Sequence, residues 1–332
     1  MKINACYIYS KSKVKFDFGT DVVVENLKKI FKDRINIKLI NQNNYFRNIF
    51  FILNSNFIHL HGCWSPILIL SFIIGKIFGK KMFFSPHGML DPYSSSIKSI
   101  KKKIAWYFYQ KIISKNSIII CNSLLEKNNL EKLDLKNINY INHGINLNHN
   151  YYCNHLHKPK FVFFSRIHPI KNILELILVW KKSDYLKSFS LDIYGKIEDV
   201  NYFRELKEFI KNETNIKYKS SLSNRNKYKV LSKYNIYLFP SKTENFGITV
   251  LEALSCGLYV VCNKNLPWKI LERFNFGKLI YFTSKNLETV VKNINKTLHN
   301  RRLIYKKKVY LFLRNHYSWS KISEKYWRVY IK

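Results

Sequence analysis

"NIYLFPSKTENFGITVLEALSCGLYVVC", Asn235–Cys262, is the stretch that decides the fold. NIYLFPS is a short apolar run closed by Pro-Ser. ITVLEALSCG follows with helical spacing and stops at Gly257, and LYVVC is a second short apolar run. Strand, loop, helix and strand in immediate succession make the unit of a parallel sheet, since parallel strands need a crossover and a helix supplies it. The loop TENFG then sits at the carboxyl edge of that sheet. Gly247 permits close backbone approach there, and the helix start offers unpaired amides to an anion. Glu244 precedes the helix and Glu252 lies inside it. Two carboxylates with an anion-binding segment between them suit an elongated ligand with hydroxyls at both ends and phosphates in the middle. The plainer alternative is an ordinary helix with one capping and one exposed glutamate.

Upstream, the same pattern recurs. KFVFFS (160–165) reads as a strand and KNILELILVW as a helix, so Arg166 and Lys171 fall on the loop joining them. Arg offers a fork and Lys a point charge to phosphate oxygens, although an Arg/Lys pair is unremarkable in so basic a chain. FSLDIYG (189–195), NIKYK (215–219) and KLIYF (278–282) are further strand candidates. The polar stretch NLNHNYYCNHLHKPK (146–160) loses periodicity and reads as a linker. Before it lies another alternating series, with strands at INACYIY (3–9), INIKLI (35–40), FIHLHG (57–62), KMFFS (81–85), SIIIC (117–121) and INYINHG (138–144). The fold class is therefore α/β, with two doubly wound halves: a first domain over 1–150, a second over 151–315 and a final amphipathic helix over 316–332. Paired folds of this kind bind ligands in a cleft at the carboxyl ends of their strands.

In the first half, His87 follows a strand and is flanked by Pro86 and Gly88, which reads as a fixed loop at the same edge. His59 and His61 share one face of a strand, and with no acidic residue nearby in sequence they read as structural, not metal-binding.

The chain has 332 residues, 57 Lys and Arg against 21 Asp and Glu, and a formal charge of +36. Such a field attracts phosphorylated substrates, anionic lipid or nucleic acid. Nothing resembles a zinc-finger or RNP spacing, so nucleic acid is the lesser reading. The six cysteines are scattered without a CxxC pair, as buried thiols in a reducing cytoplasm would be. The opening MKINACYIYS lacks the long apolar core of a signal peptide, and the uncharged stretch Asn48–Gly75 is too interrupted to span a bilayer. SIKSIKKKIAWYFYQKIISK (96–115) is basic and aromatic and is the candidate for an anionic membrane surface.

With these residues in hand, the chain resembles glycosyltransferase family 4, retaining enzymes of the GT-B fold that use sugar nucleotides. The resemblance runs over nearly the full length. SPHGMLDP, SRIHPIKN, TENFGITVLEALSCG and Pro267–Trp268 stand in the family's order, and HLHGCWSP is similar to its bacterial surface-polysaccharide branch. The resemblance implies two Rossmann-like domains facing a cleft, with the C-terminal helix returning to the first. It implies that Arg166 and Lys171 hold the donor diphosphate. Glu244 would bind the donor sugar, with the Asn245, Phe246 and Gly247 backbone, and Glu252 the ribose. His87 would lie beside the transferred sugar. Gly19 would approach the diphosphate, although SKSKVKFDFGTD lacks the family's adjacent glycines. Asn172, His143 and Tyr259 are further departures. The implied reaction moves a sugar from a nucleotide diphosphate to a glycan or lipid-linked acceptor, in lipopolysaccharide O-antigen, capsule or exopolysaccharide synthesis. It would take place at the inner face of the membrane, without a metal or other cofactor. A nucleic-acid-binding protein and an inactive scaffold of the same fold are the alternatives.

Overall fold

A computed structural model of the chain describes residues 2–10, 20–92, 99–147, 158–223 and 226–332. The candidate Gly19, most of the linker and Lys98 lie outside the described residues. The chain divides into two compact units, Met1–Gly144 with Trp319–Lys332, and Ile145–Ser318.

The first unit holds a six-stranded parallel sheet: β1 (Ile3–Tyr9), β2 (Ile35–Ile40), β3 (Phe57–His61), β4 (Lys81–Ser85), β5 (Ile118–Cys121) and β6 (Ile138–Tyr140). Their order is β2-β1-β3-β4-β5-β6. Alternation along β1 sends Cys6 and Ile8 to one face and Ala5, Tyr7 and Tyr9 to the other, and each face builds its own core. Helices α1 (Thr20–Phe31) and the C-terminal Trp319–Ile331 cover the face that carries Tyr7. The opposite face is covered by α2 (Ile49–Leu53), α3 (Pro66–Ile77), and the run formed by α4 (Ser99–Ala105), a π-helical segment (Trp106–Gln110) and α5 (Lys111–Lys115). α6 (Leu124–Lys132) joins β5 to β6, capped by Ser123 accepting from Glu126 N.

The second unit repeats the plan with β7 (Phe161–Phe164), β8 (Leu191–Tyr194), β9 (Ile216–Tyr218), β10 (Ile236–Phe239), β11 (Tyr259–Asn263) and β12 (Gly277–Ile280), ordered β12-β11-β10-β7-β8-β9. Every pairing in both sheets is parallel. The crossovers include α7 (Ile173–Lys181), α8 (Asp184–Lys187), α9 (Val200–Ile210), α10 (Lys227–Leu231), α11 (Ile248–Ser255) and α12 (Ile270–Arg273). α13 (Ser284–His316) then leads to α14 (Trp319–Ile331).

Among the described residues no helix is long and apolar enough to cross a membrane. Cys6, Cys63, Cys121, Cys256 and Cys262 are buried free thiols, and burial pushes Cys6 and Cys121 up to about 12. Cys153 lies outside the described residues.

Candidate active site

In the second sheet the chain runs outward one way from β7 through β8 to β9, and the other way from β10 through β11 to β12. The loops after β7 and β10 therefore flank the topological switch point, where open α/β sheets bind ligands. Arg166 and Lys171 stand on the first loop, and Glu244, Asn245, Phe246 and Gly247 on the second. Lys171 ends a one-turn 3₁₀ segment, Pro169–Lys171, which His168 caps by accepting from Ile170 N. Asn172 then turns left-handed, φ 56°, to start α7. This is a conformation Asn tolerates better than most residues.

The two loops are tied directly. Lys171 Nζ forms an ion pair with Glu244 Oε1; Lys171 is buried and Glu244 partly buried. Ser241 Oγ donates to the Ile170 carbonyl, and Lys242 N donates to the same oxygen at 2.9 Å. Glu244 Oε1 also lies 3.2 Å from Ser241 Oγ. Gly247 sits at φ 75° as the N-terminal cap of α11. A Cβ on it would meet Phe239 and Trp268 Nε1 at 3.3 Å, so this position is closed both by conformation and by space. The Phe246 side chain packs edge-on against Trp268, 5.6 Å between rings, and belongs to the core.

One turn into α11, Glu252 is 5% exposed and pairs through Oε1 with Lys227 Nζ of α10 at 2.5 Å. Its Oε2 is buried with no hydrogen-bond partner among the described residues. Burial raises the Glu252 carboxyl above its ordinary value and Lys227 opposes that rise. Arg166 is more open: its Nη1 contacts both carboxylate oxygens of Glu198, at 2.7 and 2.8 Å. Sequence reasoning missed Lys227, Ser241 and Glu198. Lys227 lies in an unpatterned polar stretch, and only the fold carries it to Glu252.

His87 belongs to the first unit, after β4, and has φ 53°. Its Nε2 meets His61 Nδ1 at 3.0 Å, and its ring stacks with His61 and with His143, at 5.3 and 6.2 Å. His59 bonds Tyr330 Oη through Nδ1 and Ser85 Oγ through Nε2, both at 2.9 Å. Burial lowers His87 to about 4 and His143 to about 3, and holds His59 and His61 well below the ordinary imidazole value. Burial thus disfavours the charged form of all four rings; His59, His61 and His87 are held by hydrogen bonds, and His143 stacks on His87.

Residues 154–310 match the family model described as "Glycosyl transferases group 1". A 100-residue stretch, 30% of the chain, is 32% identical to the O-antigen biosynthesis glycosyltransferase WclY of Escherichia coli, and spans 27% of that protein. The match thus covers about a quarter of the curated relative's length. Among solved structures, Anabaena Alr3699/HepE in complex with UDP superposes with a TM-score of 0.78 at 14% identity, over 99% of each chain. Sucrose-phosphate synthase from Thermosynechococcus elongatus does so at 0.73 and 14%, over 99% of this chain and 98% of that one. Two parallel six-stranded sheets covered by helices, in this likeness, are the GT-B fold, and residues 154–310 are similar to the group 1 glycosyltransferase domain.

Proposed function

We propose that the chain is a retaining glycosyltransferase of the family 4 type, taking its sugar from a nucleotide diphosphate donor. The observation that carries this reading is the switch-point arrangement: Arg166 and Lys171 on one loop, Glu244 on the other, with Lys171 paired to Glu244 beside the left-handed Gly247 that caps α11. Glu244 takes the donor sugar hydroxyls and Glu252 the ribose diol, while Lys171, Arg166 and the amides opening α11 take the diphosphate. As the bond from the sugar C1 to the β-phosphate oxygen breaks, charge grows on the departing diphosphate, and these cations stabilise it. The acceptor oxygen bonds C1 from the same face and passes its proton to the leaving phosphate oxygen. The cations do what a metal would, so activity persists in excess EDTA. HepE solved with UDP and UDP-glucose supports a nucleotide-sugar donor, and WclY, named for O-antigen biosynthesis, supports a glycan acceptor; that the acceptor is lipid-linked and met at the inner face of the membrane is the finer part of the proposal.

Calorimetry with a panel of nucleotide sugars, followed by transfer assays, tests the reading. Glu252→Ala weakens the free nucleoside diphosphate and the intact donor alike. Glu244→Ala weakens chiefly the intact donor. Lys171→Ala and Arg166→Ala lower turnover about a hundredfold or more, the scale of a lost electrostatic stabiliser. Absence of binding by every nucleotide sugar, or recovery of EDTA-abolished activity by Mn²⁺, overturns it.

A further inference from the structure

The six most exposed large hydrophobic side chains among the described residues all lie in one layer of the first unit. They are Phe46 (78%), Phe50 (76%), Ile77 (73%), Ile100 (74%), Tyr107 (73%) and Phe108 (76%). α2, α3 and the 99–115 helical run bury their inner faces in the same core: Ile52, Leu68, Phe72 and Ile113, with Trp106 and Tyr109 packed against it. Five of the exposed residues are on the outer faces of those same helices and Phe46 is in the one-turn 3₁₀ segment Phe46–Asn48 leading into α2, on the side of the sheet away from α1 and α14. Ile100, Ile104 and Phe108 repeat every four residues, so the 99–115 run presents a stripe; Ile73 and Ile77 of α3 share that interval, and Phe46 and Phe50 flank the start of α2. A helix layer on a water-facing surface ordinarily shows the opposite pattern.

Charge says what covers it. Lys76, Lys101, Lys103 and Lys115 stand exposed in the same helices. From Arg34 to Leu125 the sequence contains a single acidic residue, Asp91. A second copy of this face would bring lysines against lysines. Nucleic acid would engage the lysines but leave the Phe and Ile side chains in water. An anionic lipid surface satisfies both: apolar side chains enter the headgroup–acyl boundary and ammonium groups meet the phosphates.

We propose that the outer face of α2, α3 and the 99–115 run is a docking surface for an anionic lipid bilayer. The surface is wider than the 96–115 segment, and within that segment Tyr107 and Phe108, not the packed Trp106 and Tyr109, carry the insertion. The proposal is independent of the reaction above.

Co-sedimentation of the full chain with phosphatidylcholine vesicles, with and without phosphatidylglycerol, tests it. The protein pellets only with the anionic vesicles and is released by salt. Lys76→Gln/Lys101→Gln/Lys103→Gln lowers partitioning about a hundredfold, at roughly fivefold per lysine near an anionic surface. Phe50→Ser/Ile77→Ser/Phe108→Ser lowers it at least about tenfold. These side chains are exposed, so circular dichroism and nucleotide-sugar calorimetry match the unsubstituted chain in both variants; this separates failure here from failure of the donor reading. Three results overturn the proposal: equal pelleting with neutral vesicles, either variant binding as the unsubstituted chain does, or no vesicle binding alongside a solution dimer that the apolar triple variant dissociates.

Discussion

Lys227 and Glu252 show how a single pair sets the character of the donor site. Both side chains are buried, so each charge has given up water and depends on the other. Removing one partner leaves an uncompensated charge, whereas removing both leaves a polar gap. Lys227→Met is therefore expected to destabilise the chain by about 3 kcal/mol or more, with a good part recovered in Lys227→Met/Glu252→Gln. Urea unfolding of the two variants checks this, and additive losses would mean that the pair is not coupled. The histidines make a second expectation at this scale. His87 and His143 are held below the ordinary value of 6.5, so the unfolded chain binds protons that the folded chain refuses. Their contribution to stability is complete above about pH 6.5 and is lost as pH falls toward 4. The thermal midpoint should thus drop between pH 7 and pH 5, and less steeply in His143→Asn. A midpoint that is flat over this range would show that the rings protonate without cost.

The loop joining β10 to α11 concentrates the site's backbone requirements. Gly247→Ala places a Cβ at φ 75° against Phe239 and Trp268. The expected cost is about 1–2 kcal/mol for the left-handed residue, with weaker donor binding as the helix start shifts. Chemical denaturation and calorimetry measure the two effects separately, and unchanged values in both would release this glycine from its role. Elements were read well from sequence because short buried strands between helices leave a clear mark. KMFFS at 81–85 is β4 residue for residue, and the helix drawn from ITVLEALS ends just before Gly257 as its composition requires. INYINHG promised more strand than exists, since pairing with β5 stops after Tyr140. The side-chain partners were beyond reach for a physical reason. Lys227 and Glu252 are separated by α10, β10 and the switch-point loop, and no local propensity encodes that contact. The same limit hid Phe46, Phe50 and Ile77: an apolar helix face looks alike in sequence whether it meets a core or a bilayer.

At the scale of the whole chain, the last helix completes the unit formed by the first residues. Gly144 lies so close to the indole of Trp319 that a Cβ would fall 2.3 Å from a ring atom. Farther along α14, Tyr330 hydrogen-bonds Tyr7 Oη at 2.8 Å and His59 at 2.9 Å, and stacks on Phe57 with rings 4.7 Å apart. Trp319, Ile322, Tyr326 and Tyr330 are all buried in the first unit. At roughly 1.5–3 kcal/mol for each large side chain, these four contribute about 6–12 kcal/mol, as much as the net stability of an ordinary domain. The first unit therefore lacks one wall of its core until the final residues arrive, whereas Ile145–Ser318 contains all of its own strands. Deleting 319–332 should open the first unit selectively. It exposes Phe57 and Phe83 and strips His59 Nδ1 and Tyr7 Oη of their shared partner, Tyr330. Limited proteolysis of the truncated chain should cut rapidly within 1–144 and spare most of 145–318, and hydrogen exchange should show the same division. A milder variant, Tyr330→Phe, keeps the packing and loses only the hydroxyl, for about 1–3 kcal/mol. If the truncated chain protected 1–144 as well as the full chain does, the wall would be dispensable and the energy attributed to α14 would have to come from elsewhere.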